Sequence, residues 1–195
     1  MTEFEPLRCI HGDVTLEGEL LRPAGAARAA VMMFPGATGP GRSFRAAMRE
    51  LADEGYLVVG IDMYGLGADL STPQSAGAYF AALLAAPEDL RARVVRWFET
   101  VRALPGVDPD RVAAIGYCFG GKCVLELARS GAPVAAVTSF HGLLTTHAPA
   151  RPGEVRPRVA VWTGGRDPYA PLADLDGLRA ELDSAGADYQ VTLFA

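Results

Sequence analysis

Val112-Ala113-Ala114-Ile115-Gly116-Tyr117-Cys118-Phe119-Gly120-Gly121 is the stretch from which the fold is read. Its first half is a short apolar run of the kind that forms a strand buried on both faces. Its second half is Gly-x-Cys-x-Gly, opening into a helical pattern that reaches about Arg129, with Gly131 beyond. A strand, a sharp turn with a nucleophilic side chain at its tip, and a helix together make a nucleophile elbow, here with cysteine in place of serine. Such a turn forces its tip into a positive φ. It also needs residues without side chains two before and two after the tip, so that strand and helix can pass closely. Gly116 and Gly120 meet that need. The alternative is a buried structural cysteine flanked by glycine through coincidence. With 22 glycines in 195 residues and three cysteines, coincidence supplies that flanking only about 4% of the time, before strand and helix are required as well.

Working outward, apolar runs alternate with helical patterns. The runs are Ala29 to Phe34, Tyr56 to Ile61, Arg111 to Tyr117, Val134 to Phe140, Arg158 to Thr163 and Tyr189 to Phe194. Between them, Phe44, Ala47, Met48 and Leu51 recur at helical spacing, with Ser43 as the expected N-cap. Pro87 opens another helix, with Glu88 and Asp89 in its first turn and a stripe of Leu90, Val94, Trp97, Phe98, Val101 and Leu104. Leu175, Leu178 and Leu182 share a face after Pro171. Residues 4 to 22 read as a hairpin turning at Gly12-Asp13, and residues 65 to 86 as a loop with one short helix from Gly77 to Ala86. This alternation predicts one α/β domain over residues 1–195, with a mainly parallel central sheet flanked by helices and an antiparallel N-terminal hairpin at its edge.

The composition removes several functions. Half the residues are hydrophobic and 21% are charged, with a mean hydropathy of +0.15, which excludes a disordered polyelectrolyte. The net charge is −5 and Lys122 is the sole lysine, so no basic patch exists to neutralise phosphates and no nucleic-acid partner is expected. No apolar run approaches the roughly 18 residues that span a bilayer, and the N-terminus is acidic, so neither a membrane partner nor export is expected and a cytoplasmic location is. Cys9, Cys118 and Cys123 are odd in number and form no Cys-x-x-Cys pair, which argues against a disulfide framework or a structural zinc site. Cys9 and Cys123 read as small buried hydrophobes.

A nucleophile needs a base, and the base an orienting acid. Asp167 lies in Gly164-Gly165-Arg166-Asp167-Pro168, the loop at the carboxyl end of a strand, where open α/β sheets place their sites. An ordinary Asp-Pro turn is the alternative there. Asp62 also ends a strand and reads as a loop cap. Of the three histidines, His11 lies in the hairpin, His141 follows the strand ending at Phe140, and His147 lies in the loop after it. His141 is at the correct end of the sheet but reads as a loop residue packed beside the site. No histidine follows Asp167.

These pieces together resemble the dienelactone hydrolase family of the α/β-hydrolase fold. Besides the elbow, the resemblance rests on Val31 to Gly39, on Leu51-Ala52-Asp53-Glu54-Gly55-Tyr56 leading to Asp62-Met63-Tyr64-Gly65, on Ser139-Phe140-His141-Gly142, and on Gly164 to Pro168. It implies Cys118 as nucleophile, Asp167 as triad acid, and the backbone N–H groups of Ala37 and Phe119 as the oxyanion hole. It implies a small-molecule ester or lactone as substrate, and neither a metal nor an organic cofactor. The family's histidine lies in a turn directly after the strand matching Tyr189 to Phe194. The resemblance therefore implies a base a few residues past Ala195, and a domain that stops short of its C-terminal turn and helix. Two positions depart from the family. Gly36 stands where many members carry a glutamate, and Leu66 where the dienelactone-cleaving members carry a carboxylate-binding arginine. Two other readings compete with the hydrolase. One is a binding domain that keeps the pocket without the base, and the other is a redox-sensing thiol protein, which would need a resolving cysteine near Cys118.

Overall fold

The computed structural model describes residues 3–195. Strands β1 (Glu5–His11) and β2 (Val14–Leu21) form the expected hairpin. They are followed by β3 (Ala30–Phe34), α1 (Arg42–Asp53), β4 (Leu57–Gly60), α2 (Pro73–Ala85) and α3 (Pro87–Arg102). The second half is β5 (Val112–Tyr117), α4 (Phe119–Arg129), β6 (Ala136–Phe140), β7 (Arg158–Gly164), α5 (Leu172–Ala185) and β8 (Tyr189–Phe194). The eight strands form one sheet in the order β1-β2-β4-β3-β5-β6-β7-β8. Pairing is parallel from β4 to β8 and antiparallel at β1-β2 and β2-β4, which puts the hairpin at the edge. This is the α/β-hydrolase architecture.

Two local expectations are corrected. Ser43 lies inside α1, whose N-cap is the extended residue Gly41, with no side-chain cap. The helix after Gly65 begins at Pro73, not Gly77. Thr72 accepts from the Ser75 N–H while Ser75 caps the N-cap backbone in return, and Pro73 supplies a preset φ at the first helical position. That capping box uses serine where glutamate or glutamine is usual, which is why the sequence did not announce it.

Side chains alternating along the central strands divide between two cores. Ala30, Met32 and Phe34 of β3, with Leu57 and Val59 of β4, join the buried faces of α3, α4 and α5. Val31, Met33 and Val58 point the other way, to Met48 and Ala52 of α1. Trp97 and Phe98 of α3 are fully buried, each worth roughly 1.5–3 kcal/mol in apolar burial. The Trp97 indole N–H donates to the Asp62 carbonyl at 2.6 Å, so its polar atom is satisfied. On the α1 face, the rings of Tyr117, Phe140, Trp162 and Phe194 stack in a row across β5 to β8, with centroids 5.2, 6.1 and 6.1 Å apart. No helix of the described residues is long and apolar enough to cross a membrane.

Candidate active site

β5 runs straight into Cys118, which has φ 55° and ψ −115° and serves as the N-cap of α4. Among the described residues it is one of two non-glycine residues with positive φ; the other is His141, at φ 41°. Conformations of this kind cost about 1–3 kcal/mol each, and they persist only where the surroundings over-determine them. Here they do. A Cβ on Gly116 would collide with the Gly120 carbonyl, and one on Gly120 with the Phe34 carbonyl, so strand and helix close on the turn from both sides. The Cys118 N–H donates to the Phe140 carbonyl at 2.9 Å, and the half-buried thiol stands at the carboxyl edge of the sheet.

Two backbone N–H groups lie at the loops expected to hold an oxyanion. Phe119 opens α4, and Ala37 sits in a turn closed by Gly39 N–H to the Gly36 carbonyl at 3.0 Å. Among the described residues, neither the Ala37 nor the Phe119 N–H donates to another protein group. Tyr64, which the sequence reading did not single out, ties the two loops together. Its hydroxyl donates to the Ala37 carbonyl at 2.8 Å, and its ring stacks on Phe119 at 5.8 Å with planes 3° apart. Burial pushes the Tyr64 phenol well above its ordinary value, so it remains a neutral donor. Asp62 is the loop cap expected of it, accepting from the N–H groups of Glu17, Tyr64 and Gly65.

Asp167 follows β7. Its carboxylate accepts from the Tyr169 N–H through Oδ1 at 2.9 Å, and its Oδ2 stands 3.7 Å from Nδ1 of His141. The sequence treated His141 as a neighbour of the site. The structure turns it toward the carboxylate, with its N–H donating to the Trp162 carbonyl at 2.7 Å and its side chain 55% exposed. Gly142 then packs against Gly121 at the start of α4, with the Ser139 side chain between them. Cys118, Asp167 and the two N–H groups thus share one end of the sheet. His11 pairs instead with Asp89 at 2.6 Å, and His147 is exposed in the following loop.

The chain matches the dienelactone hydrolase family over residues 16–195. It belongs to that family. A solved structure named m3DLH is 33% identical, with a TM-score of 0.89, over 100% of this chain and 82% of that one. A dienelactone hydrolase-like promiscuous phosphotriesterase from metagenomic libraries is 28% identical, with a TM-score of 0.87, over 99% of this chain and 81% of that one. An uncharacterised protein of Caenorhabditis elegans is 29% identical over 108 residues, which is 51% of this chain and 65% of that protein. The chain thus meets only part of the length of that curated relative.

The two positions expected to depart from the family are placed as follows. Gly36 faces the elbow, and Leu66 is 57% exposed in the loop after β4. Cys123 is fully buried on α4, and burial pushes its thiol up, which leaves Cys118 without a resolving partner. Two concavities among the described residues, of about 600 and 610 Å³, lie away from the elbow. The first is lined by Arg91, Arg96, Arg129 and Arg151, whose charges are already paired with carboxylates, so size does not mark the reactive site here.

Proposed function

We propose that this dienelactone hydrolase-family chain cleaves esters or lactones through a cysteinyl acyl-enzyme. Cys118 Sγ attacks the carbonyl carbon, and the carbonyl oxygen becomes an oxyanion held by the Ala37 and Phe119 N–H groups. The tetrahedral intermediate collapses as the C–O bond to the alcohol breaks and the alcohol leaves with a proton. Water then adds to the thioester and releases the acid and the free thiol. Asp167 is the carboxylate placed to orient an imidazole that moves these protons, and the imidazole beside it here is that of His141, 3.7 Å away. No metal or organic cofactor enters the scheme. A thiol nucleophile is suited to a reducing compartment, consistent with a cytoplasmic protein.

The observation that carries this reading is the positive φ of Cys118, fixed from both sides by glycine contacts, beside the Ala37 and Phe119 N–H groups, which donate to no other protein group among the described residues. A buried structural cysteine needs neither. The site favours neutral small-molecule substrates, because the Leu66 position offers no cation to a carboxylate. The second reading, a binding domain without turnover, rests on the loose placement of His141, which stands 3.7 Å from Asp167 with a half-exposed side chain. Brief treatment with iodoacetamide, followed by peptide mass mapping, tests the nucleophile. Cys118 is expected to be labelled first, since burial pushes the thiols of Cys123 and Cys9 up. First labelling at Cys9 or Cys123 would remove the assignment. Formation of an acyl-Cys118 adduct from an activated ester separates the enzyme from the silent binder.

A further inference from the structure

The Ala37 and Phe119 N–H groups sit on two loops that the sheet does not hold together. β3 and β5 are neighbours, and their last paired residues are Phe34 and Gly116. Ala37 and Phe119 each follow three residues later, past the end of that ladder. Among the described residues no backbone hydrogen bond runs between residues 35–39 and 117–121. Two donors stabilise one oxyanion only when both aim at the same point, so a contact other than the sheet must set their separation.

Tyr64 touches both loops from a third, the one after β4 on the far side of β3. Its hydroxyl donates to the Ala37 carbonyl at 2.8 Å, and its ring lies parallel to that of Phe119 with centroids 5.8 Å apart. Phe80 of α2 packs edge-on against the same Phe119 ring at 5.3 Å. Tyr64 is itself braced. Its N–H donates to Asp62 Oδ1 at 2.8 Å, while α3 holds the preceding backbone through Trp97 to the Asp62 carbonyl at 2.6 Å and Arg93 to the Met63 carbonyl at 2.9 Å. Resting on Cys118 as the nucleophile and on these two donors, we propose that Tyr64 is a positioning residue for acylation, its hydroxyl fixing the Ala37 loop and its ring the first turn of α4. Acting through the donors, it matters only to steps in which a carbonyl oxygen becomes an anion. The hydroxyl is worth about 2- to 12-fold, the range of a neutral hydrogen bond. Loss of hydroxyl and ring together approaches the roughly 10²- to 10³-fold cost of losing one oxyanion donor.

The test compares two reactions of the same thiol. 4-Nitrophenyl acetate acylates Cys118 through an oxyanion, whereas iodoacetamide alkylates it by displacing iodide from a methylene carbon and forms none. The ratio of the limiting acylation rate, read from pre-steady-state nitrophenol release, to the alkylation rate therefore reports on the donors and cancels any change in the thiol. Tyr64→Phe, which keeps the ring, is expected to lower this ratio about fivefold, and Tyr64→Leu about a hundredfold. Circular dichroism and thermal unfolding identify a variant that fails to fold; if Tyr64→Leu does, Tyr64→Phe decides alone. A fall of less than about twofold in Tyr64→Phe, or equal ratios in two folded variants, overturns the positioning role while leaving acyl-Cys118 in place. Peptide mapping that finds no acetyl group on Cys118 of the unaltered chain overturns the nucleophile reading, and the role of Tyr64 with it.

Discussion

Nδ1 of His141 stands 3.7 Å from Oδ2 of Asp167, beyond hydrogen-bond reach but close enough for a carboxylate and an imidazole to feel one another. Two features weigh against His141 being the group that fixes Asp167. The carboxylate is already held by the Tyr169 N–H, and His141 is more exposed than buried. A pair of this kind is typically worth about 0.2–1 kcal/mol, or less than about fivefold in rate. His141→Asn removes the imidazole while keeping a residue that tolerates positive φ. It should therefore lower single-turnover acylation by less than about fivefold. A loss of a hundredfold or more, measured by stopped-flow nitrophenol release, would make His141 the working base.

The elbow's geometry predicts an ordering of glycine substitutions. Gly116→Ala and Gly120→Ala each drive a methyl group into a backbone carbonyl that cannot move aside, whereas Gly36→Ala meets its neighbours at 3.7 Å or more. Overpacking in a tight core costs about 1–3 kcal/mol or more, so the first two variants should lose several degrees of Tm and the third little. Differential scanning fluorimetry of the three against the parent chain gives the order. Equal losses would mean that the strand and helix do not pass as closely as described.

Glu126, 1% exposed on α4, accepts from Arg91 at 2.8 Å and from Arg129 at 3.1 Å, with Lys122 Nζ at 3.5 Å. The same cations hold the chain after His141. Lys122 donates to the Thr145 carbonyl, Arg129 to that of Leu144 and Arg91 to that of Ala148. Burial pushes the Glu126 carboxyl up, but Arg129, Lys122 and Arg91 outweigh it and hold it below the usual carboxylate range. A depressed folded-state value means that the ionised form stabilises the fold above the unfolded value, near 4.3, and that this contribution is lost as pH falls through the lower folded value. Glu126→Gln leaves Lys122 and Arg91 without their carboxylate, while Arg129 keeps Glu181, and should cost about 3–5 kcal/mol at pH 7. The Tm gap between parent and variant should shrink as pH is lowered from 5 toward 3. A gap independent of pH would show that ionised Glu126 contributes nothing to the fold.

How far the sequence spoke can be argued residue by residue. Gly116, Cys118 and Gly120 were legible because a positive-φ tip between two tight crossings permits so few residue types, and the strand ends followed from apolar runs of the right length. The place of Asp167 at the carboxyl end of β7 was legible because its loop follows such a run. Tyr64 was not, because its role is a contact across 27 residues with Ala37 and a stacking on Phe119, and no local pattern encodes either. The turn of His141 toward Asp167 was equally hidden, since it depends on the β6-β7 register. The charged residues of α4 carry no local signal of their pairing. Only packing shows that Glu126 and Arg129 are buried and paired.

The last prediction concerns the two chemical steps separately. Acylation of Cys118 by an activated ester needs little help, because nitrophenolate leaves without a proton and the oxyanion donors are backbone groups already in place. Deacylation is different, because water must be deprotonated as it adds, and a positioned base commonly supplies a factor of about 10² to 10⁴. The imidazole beside Asp167, that of His141, is only loosely placed, 3.7 Å away and half exposed. The chain should therefore release close to one equivalent of nitrophenol in a fast burst and then turn over slowly. If the slow phase is limited by a poorly placed base, free imidazole in the buffer should accelerate it in proportion to its concentration. It should do so less in Asp167→Asn, where the carboxylate that would orient the ring is gone. The burst itself should be unaffected by imidazole and absent in Cys118→Ala. Steady turnover without a burst, unchanged by imidazole and preserved in His141→Asn, would show that deacylation proceeds by a group other than a histidine placed by Asp167.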